Sequence, residues 1–298
     1  MRLASGVKRL VCMRNILLLA ALTVSLGACG KFESNSNNTA AATSIGADVE
    51  FRLGALGDSI TRGYDSQTLF QEDLNHSWST GGSLNESILN RLSQMLMPNI
   101  VSHLNARNLA VVGQTVLGSN SMFQTNAQQM AAFSPHVVTL EIGANDICQG
   151  LVDTQAKLAS FQQKVSDALN VLLNASSQPL LISVATVPNI YALTQMPQLA
   201  SSLSCQNAWA VACPNIAAVS APAFQAQWNG VNQALANAAT TAGARVVFDN
   251  YAVANTTFTL DDVSAIDCFH PSAAGQAKLG TAVWNTLQSK LNQMLVTH

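Results

Sequence analysis

Five short apolar runs rich in β-forming residues alternate with longer stretches in which apolar residues recur every three or four positions. The runs predict strands at Val49–Leu56, Asn108–Val112, His136–Ile142, Leu180–Val187 and Arg245–Phe248. The stretches predict helices at Ser83–Met97, Ser121–Phe133, Thr154–Asn174, Phe224–Ala242 and Ser272–Leu295. Because strands and helices alternate, we expect an α/β fold with helices on both faces of a central parallel sheet of about five strands.

The reactive residue types lie where such a sheet binds ligands, beyond the carboxyl ends of its strands. Gly57–Ser59 follows the first predicted strand, Gly113 follows the second and Gly143–Asp146 follows the third. Asp267 and His270 directly precede the last predicted helix. We therefore expect these residues to meet at one site.

One segment interrupts the alternation. Residues 188–222 contain four prolines and two of the cysteines, which predicts a long loop or a lid. Its apolar positions, Leu193–Pro197, Leu199 and Trp209–Val211, fit either an acyl-chain contact or ordinary packing.

Ser59 is the candidate nucleophile. A serine hydroxyl attacks poorly until a base accepts its proton, and the base works best when a third group orients it. His270 fits the base because Asp267 lies three residues before it, so a carboxylate can bind one ring nitrogen and leave the other free. His76, in a glycine-flanked loop, is the alternative base. The other histidines fit surface or packing roles: His103, His136 and His298.

Acyl transfer also needs hydrogen-bond donors aimed at the developing oxyanion. Three donors are predicted at strand ends, namely the backbone N–H groups of Ser59 and Gly113 and the side-chain amide of Asn145. Taken singly, Gly113 also fits a turn glycine and Asn145 an Asx-turn residue. Their joint placement favours an oxyanion site.

Four motifs in this order, Gly57–Ser59, Gly113, Gly143-x-Asn145-Asp146 and Asp267-x-x-His270, resemble the conserved blocks of the GDSL/SGNH hydrolases. The resemblance spans residues 49–298 and implies a flavodoxin-like three-layer α/β/α sandwich. It also implies Ser59 as nucleophile, Gly113 and Asn145 as oxyanion donors, His270 as base and Asp267 as the residue that orients it. Asp58 and Asp146 match the motifs as well, and we expect them to hydrogen-bond loops rather than to transfer protons.

A narrower set of residues is similar to the phospholipase B branch of this superfamily. It comprises Ser77–Gly82, Gly113–Thr115, Asn145–Cys148 and Asp267–His270. This resemblance implies a lipase, phospholipase or lysophospholipase, with acyl transfer to an acceptor as a further activity. The alternatives are a carbohydrate or peptidoglycan O-acetyl esterase and a non-catalytic, surface-binding lipoprotein.

The N-terminal residues predict export. A basic residue precedes a short apolar run at residues 16–26, which is typical of a secretory signal peptide and is short for a membrane span. The small residues before Cys29 resemble a bacterial lipobox, which predicts a lipoprotein signal peptide at residues 1–28 and an acylated Cys29. An ordinary signal peptide with an incidental cysteine is the alternative. Translation can start at Met1 or at Met13.

The mature chain is expected to consist of a tether and one domain. Residues 29–48 are rich in Ser, Asn, Thr and Ala, which predicts a flexible tether, and residues 49–298 form the hydrolase domain. Because Gly30 rather than Asp follows Cys29, we expect the outer membrane, with the domain facing the periplasm or the cell surface.

Four cysteines lie in the predicted domain: Cys148, Cys205, Cys213 and Cys268. An exported chain folds in an oxidising compartment, so two disulfides are predicted, and all three pairings remain open. A zinc site is the competing interpretation, but no C-x-x-C pair occurs. We expect no metal and no organic cofactor.

Charge excludes a nucleic-acid partner. Beyond the predicted signal region the chain has ten Lys and Arg against sixteen Asp and Glu, whereas a nucleic-acid surface needs clustered basic residues. We expect an ester or lipid substrate, contact with the membrane through the N-terminal lipid anchor, and a monomer.

Overall fold

The computed structural model describes residues 50–97, 101–176 and 178–296. The predicted signal peptide, the tether and Cys29 lie outside these residues. Within them, no helix combines the length and the apolar character needed to cross a bilayer.

A single parallel sheet forms the centre of the domain. Its strands are β1 (Glu50–Gly57), β2 (His103–Asn108), β3 (Val137–Glu141), β4 (Leu181–Ala185) and β5 (Val246–Phe248). They lie in the order β2-β1-β3-β4-β5, and every neighbouring pair is parallel. The chain changes its direction of winding between β1 and β3, and the carboxyl ends of strands at such a switch point flank a ligand-binding crevice.

Helices pack on both sides of this sheet. They are α1 (Ile88–Leu96), α2 (Phe123–Phe133), α3 (Ala144–Cys148), α4 (Gln155–Ala175), α5 (Pro197–Ala200), α6 (Leu203–Ala212), α7 (Asn215–Ala218), α8 (Ala221–Ala242) and α9 (Ala273–Val296). One group contains α2, α4 and α8, and the other contains α1 and α9, while α8 and α9 both contact β4 and β5. The predicted α/β fold with a five-stranded parallel sheet is confirmed.

The core lies between the sheet and these helices. β3 and β4 are buried along their whole length, as expected for central strands of a parallel sheet, and this explains their continuous apolar sequences. Each helix contributes an apolar face, and side-chain caps fix where several of them begin, among them α1 and α4. Ser87 caps α1 by accepting the N–H of Asn90, and Thr154 caps α4 by accepting the N–H of Lys157.

The second strand was predicted in the wrong place. The apolar run Asn108–Val112 suggested a strand, but β2 is the more polar segment His103–Asn108. β2 is an edge strand that pairs only with β1 and is largely exposed, so it carries no apolar signature. The apolar run follows it, and the N–H groups of Leu109 and Val111 still bind carbonyls at the end of β1.

Residues 188–222 do not form a long loop. They fold into a 3-10 helix at Ile190–Gln195 followed by α5, α6 and α7. Pro197 is at the start of α5, where its missing N–H and fixed φ are tolerated, and the Ser202 side chain caps α6. Pro214 likewise precedes the first residue of α7, and Pro222 lies in the first turn of the long helix α8. Leu193, Leu199 and Trp209 are buried, whereas Val211 is exposed.

Candidate active site

Ser59 lies in a tight turn just beyond the carboxyl end of β1. Its carbonyl oxygen accepts the backbone N–H groups of Arg62 and Tyr64 at 3.1 and 3.0 Å. The carboxylate of Asp58 accepts the N–H of Ile60 at 2.9 Å. These bonds fix the turn and place the serine at the edge of the sheet.

His270 and Asp267 reach Ser59 from the loop that precedes α9. Nε2 of His270 lies 2.8 Å from Oγ of Ser59, and Nδ1 of the same ring is hydrogen-bonded to Oδ2 of Asp267. The other carboxylate oxygen of Asp267 accepts the backbone N–H groups of Phe269 and His270, both at 3.0 Å. Burial by itself would raise the pKa of Asp267, but the hydrogen bond and charge of His270, with these backbone bonds, lower the pKa overall. An ionised carboxylate thus orients the imidazole.

Three hydrogen-bond donors line the same cavity as Ser59. The backbone N–H groups of Ser59 and Gly113 have no acceptor among the described residues. Gly113 has φ +75°, a left-handed conformation that glycine adopts without strain. Asn145 also lines the cavity, and its side-chain amide donates to Oδ2 of Asp58 at 3.3 Å, which fixes the orientation of the amide. The structure therefore brings together every donor expected for an oxyanion site.

The two acidic residues of the glycine motifs hydrogen-bond loops. Asp146 accepts the N–H groups of Val116 and Leu117, both at 2.8 Å, and so ties the segment after Gly113 to α3. Burial raises the pKa of Asp146 to about 6, against the lowering effect of these bonds. Burial likewise raises the pKa of Asp58 to about 7.

Glu141, which sequence reasoning missed, is fully buried at the end of β3. Burial, followed by the charge of neighbouring Asp58, raises its pKa well above the usual value for a glutamate. The folded state therefore favours the protonated form of Glu141. The sequence pattern does not indicate that Glu141 is buried, because the residue stands at the end of an apolar run, where a polar residue usually marks the end of a strand.

Asp65 is a second acidic residue that the sequence did not reveal. One oxygen of Asp65, one of Asp267 and one ring nitrogen of His270 lie within 4.8 Å of one another. Burial raises the pKa of Asp65, and the charge of Asp267 raises it further, while the N–H of Phe70 hydrogen-bonds to its Oδ1. These three side chains could in principle ligate a cation, but an ion there would compete with the Asp267–His270 hydrogen bond.

A cavity of about 400 Å³ opens at Ser59 and His270. Its walls are largely apolar and include Leu69, Phe70, Val112, Val211, Ile266 and Phe269. Phe70 and Val211 at its mouth are 75% and 84% exposed. The sequence had marked only the segment with Val211, as a possible acyl-chain contact, and Phe269, within the Asp267–His270 motif. The other residues come from separate segments that the fold brings together.

Two disulfides attach the segment around α6 to the site. Cys148–Cys213 joins the end of α3 to the residue after α6, and Cys205–Cys268 joins α6 to the loop before α9. Nε1 of Trp209 adds a hydrogen bond of 2.7 Å to the carbonyl of Cys268. This is one of the three pairings that the sequence left open.

His76, the alternative base, is not part of this site. Its Nδ1 lies 2.7 Å from Oδ2 of Asp73 and its Nε2 lies 3.2 Å from the amide of Gln67, and it does not line the cavity at Ser59. His136 accepts the N–H of Arg52 at 3.0 Å. Both histidines therefore have structural partners.

Residues 53–283 match the family model for the GDSL-like Lipase/Acylhydrolase, which is well over half of the chain. The chain belongs to the GDSL-like lipase/acylhydrolase family. It is accordingly a carboxylic ester hydrolase, and the alternative of a non-catalytic binding lipoprotein does not hold.

This GDSL-like lipase/acylhydrolase is also similar to solved esterase and lipase structures. A catalytic mutant of an acetylxylan esterase from Geobacillus stearothermophilus has 18% identity and a TM-score of 0.49, covering 80% of this chain and 94% of that one. A lipase from a goat rumen metagenome has 14% identity and a TM-score of 0.48, covering 80% and 97%. An extracellular lipase from Streptomyces rimosus has 17% identity and a TM-score of 0.42, covering 79% and 98%. No curated protein matches the chain.

Proposed function

We propose that this enzyme hydrolyses esters of long-chain fatty acids, with Ser59 as nucleophile, His270 as general base and Asp267 as the carboxylate that orients it. The observation that carries the proposal is the 2.8 Å contact between Oγ of Ser59 and Nε2 of His270 at the base of a largely apolar cavity. Lipids are the substrate class that combines an ester with a long apolar chain. Phospholipids and lysophospholipids are the members of this class that the narrower sequence resemblance implies.

The chemistry proceeds through an acyl-enzyme. Nε2 of His270 accepts the Ser59 proton as Oγ attacks the ester carbonyl carbon. Negative charge then forms on the carbonyl oxygen and is stabilised by the N–H groups of Ser59 and Gly113 and by the amide of Asn145. As the intermediate collapses, His270 protonates the departing alcohol oxygen.

Water completes the cycle. His270 removes a proton from a water molecule, whose oxygen attacks the acyl carbon and restores the Ser59 hydroxyl while the fatty acid leaves. An alcohol that takes the place of water would instead receive the acyl group, which gives the acyl-transfer activity. Both routes use the same base and the same donors.

The size and apolar character of the cavity favour a substrate with a long acyl chain. Apolar surface buried on binding contributes about 25 cal/mol per Å², so each methylene that enters the cavity adds to affinity. An acetyl group would leave most of the roughly 400 Å³ unused. This favours long-chain esters over the O-acetyl esters of glycans.

A chain-length series tests this proposal. Rates on p-nitrophenyl esters from acetate to laurate should rise with chain length in the wild type. Ala208→Phe, at a position that lines the cavity, should lower laurate hydrolysis by roughly tenfold or more and leave acetate hydrolysis nearly unchanged. Ala210→Phe is the matched control, because Ala210 is exposed on the same helix and does not line the cavity.

Two results would overturn the long-chain assignment. A wild type that prefers acetate would support the O-acetyl esterase alternative. Equal effects of Ala208→Phe and Ala210→Phe on laurate would show that this cavity does not hold the acyl chain.

The sequence before the domain supports an exported lipoprotein anchored at the outer membrane through Cys29. In a host that processes lipoproteins, Cys29→Ser should move the enzyme from the membrane fraction to the soluble fraction without changing the activity of the domain. Retention of the Cys29→Ser protein in the membrane fraction would contradict the anchor.

A further inference from the structure

A second cavity adjoins the catalytic cavity on the other side of Gly113. It has a volume of about 230 Å³, and Val112 and Gly113 form part of the wall of both cavities. Its walls are more polar than those of the catalytic cavity, because amide, hydroxyl and backbone groups lie beside Val111, Val112 and Met122. The polar side chains are Gln114, Thr115, Ser119, Asn120 and Gln149.

The inner part of this second cavity is held rigidly. The amide of Gln114 donates to the carbonyl of Thr115 at 2.6 Å and to Oγ of Ser121 at 3.2 Å. Oγ1 of Thr115 accepts the N–H of Gly118 at 3.1 Å. The carboxylate of Asp146 accepts the N–H groups of Val116 and Leu117, which lie between these two residues. The position of the cavity relative to the oxyanion donors is therefore fixed.

The outer part carries polar groups without internal partners. The side chains of Ser119, Asn120 and Gln149 are exposed and make no hydrogen bond to other residues in the described ranges. They offer a hydroxyl and two amides, which can both donate and accept hydrogen bonds. Such groups match the hydroxyls of a polyol.

Charge distinguishes this cavity from a phosphate site. Recognition of a phosphate group usually relies on Arg or Lys side chains, and neither type is among the described residues lining either cavity. Arg62, which follows Ser59 closely in sequence, is paired with Glu72 and donates to the carbonyl of Asn108 at 3.2 Å. The arginine is thus already engaged.

We propose that the cavity lined by Asn120 and Gln149 binds the alcohol part of the substrate, and that this alcohol is an uncharged, hydroxyl-rich group such as glycerol or a single sugar. The inference rests on the proposed function, because it assigns the acyl chain to the apolar cavity and the alcohol to the polar one. With about 230 Å³, the polar cavity is smaller than the sites of roughly 300–1,000 Å³ that hold drug-sized ligands, which suits a small polar group. The preferred substrates are then monoacylglycerols or sugar esters of fatty acids, ahead of lysophospholipids.

Four lauroyl esters that differ only in the alcohol test this inference. They are ethyl laurate, monolauroyl glycerol, a monolauroyl sugar and lauroyl lysophosphatidylcholine. The wild type should show the highest kcat/KM on the glycerol or sugar ester. Asn120→Ala and Gln149→Ala should each lower kcat/KM on that ester by about three- to tenfold, through KM, and leave ethyl laurate unchanged.

The control variant is Gln195→Ala, which removes an exposed amide that lines a different cavity. It should leave all four rates unchanged. A double variant, Asn120→Ala with Gln149→Ala, that keeps the wild-type ratio between glycerol ester and ethyl ester would overturn the inference. A wild type that prefers the lysophospholipid would also overturn it, whereas a wild type inactive on all four esters would instead contradict the proposed function.

Discussion

A carboxyl oxygen of Asp65 lies within 4.8 Å of a carboxyl oxygen of Asp267, so two acidic groups share the space beside His270. Burial and the charge of Asp267 raise the pKa of Asp65, while the pKa of Asp267 is lowered. Of the two carboxyl groups, Asp65 therefore takes up a proton more readily than Asp267. A neutral side chain at position 65 leaves the single negative charge beside His270 on Asp267.

Two substitutions at position 65 should therefore differ in their effect on kcat. Asp65→Asn is neutral and keeps an acceptor for the N–H of Phe70, so kcat should stay within about twofold of the wild type. Asp65→Ala removes the acceptor for the N–H of Phe70, a residue of the cavity wall, and should lower kcat by roughly tenfold. Steady-state kinetics on a soluble ester, with melting curves as a check on folding, would show this. Equal kcat in both variants would argue against a role for the hydrogen bond.

Asn145→Ala removes one of the three proposed oxyanion donors. We expect kcat to fall about 100- to 1,000-fold with little change in KM, because the lost bond forms mainly in the transition state. Fluorophosphonate labelling under long incubation would show whether Ser59 and His270 remain competent in the variant. A kcat within a factor of a few of the wild type would place the oxyanion elsewhere.

The Cys205–Cys268 disulfide should support both stability and activity. It joins α6, which forms one wall of the catalytic cavity, to the loop that carries His270. Cys205→Ser with Cys268→Ser should lower the free energy of unfolding by about 2–4 kcal/mol and reduce turnover. Urea denaturation and ester hydrolysis measure the two effects. Unchanged unfolding in the double variant would show that packing alone holds α6 in place.

Glu141→Gln should change how stability depends on pH. The pKa of Glu141 is raised in the folded state. Its contribution to the free energy of unfolding is therefore fully present below the pKa of an unfolded glutamate and is lost as pH rises through the folded pKa. Above about pH 4.5 the wild type should therefore lose stability relative to the variant, by up to about 1.4 kcal/mol per pH unit. Urea denaturation at several pH values checks this. Parallel curves for the two proteins would mean that the fold does not raise the pKa of Glu141.

Much of the fold and the site followed from the sequence. Alternating strand and helix patterns located four of the five strands, and the rule for parallel sheets explained why Ser59, Gly113, Asn145 and His270 lie around one cavity. β2 was misplaced because an exposed edge strand has no apolar pattern to detect. A local apolar pattern reveals a strand only where its side chains are buried, and most side chains of β2 are exposed.

Other features depend on contacts that sequence patterns do not encode. The disulfide pairing is set by how α6 packs, and Asp65 gains its importance only because a loop brings it beside Asp267. Val211 and Trp209 belong to the same apolar stretch of sequence, but Trp209 is buried whereas Val211 is exposed and lines the catalytic cavity. In each case the tertiary structure supplies the information.

The most direct measurement is labelling of the mature wild type and Ser59→Ala with a fluorophosphonate probe, followed by fatty-acid release from lauroyl esters. Ser59 as nucleophile predicts strong labelling of the wild type, none of the Ser59→Ala protein, and loss of fatty-acid release in the variant by several orders of magnitude. Labelling or near-wild-type hydrolysis by Ser59→Ala would contradict this assignment.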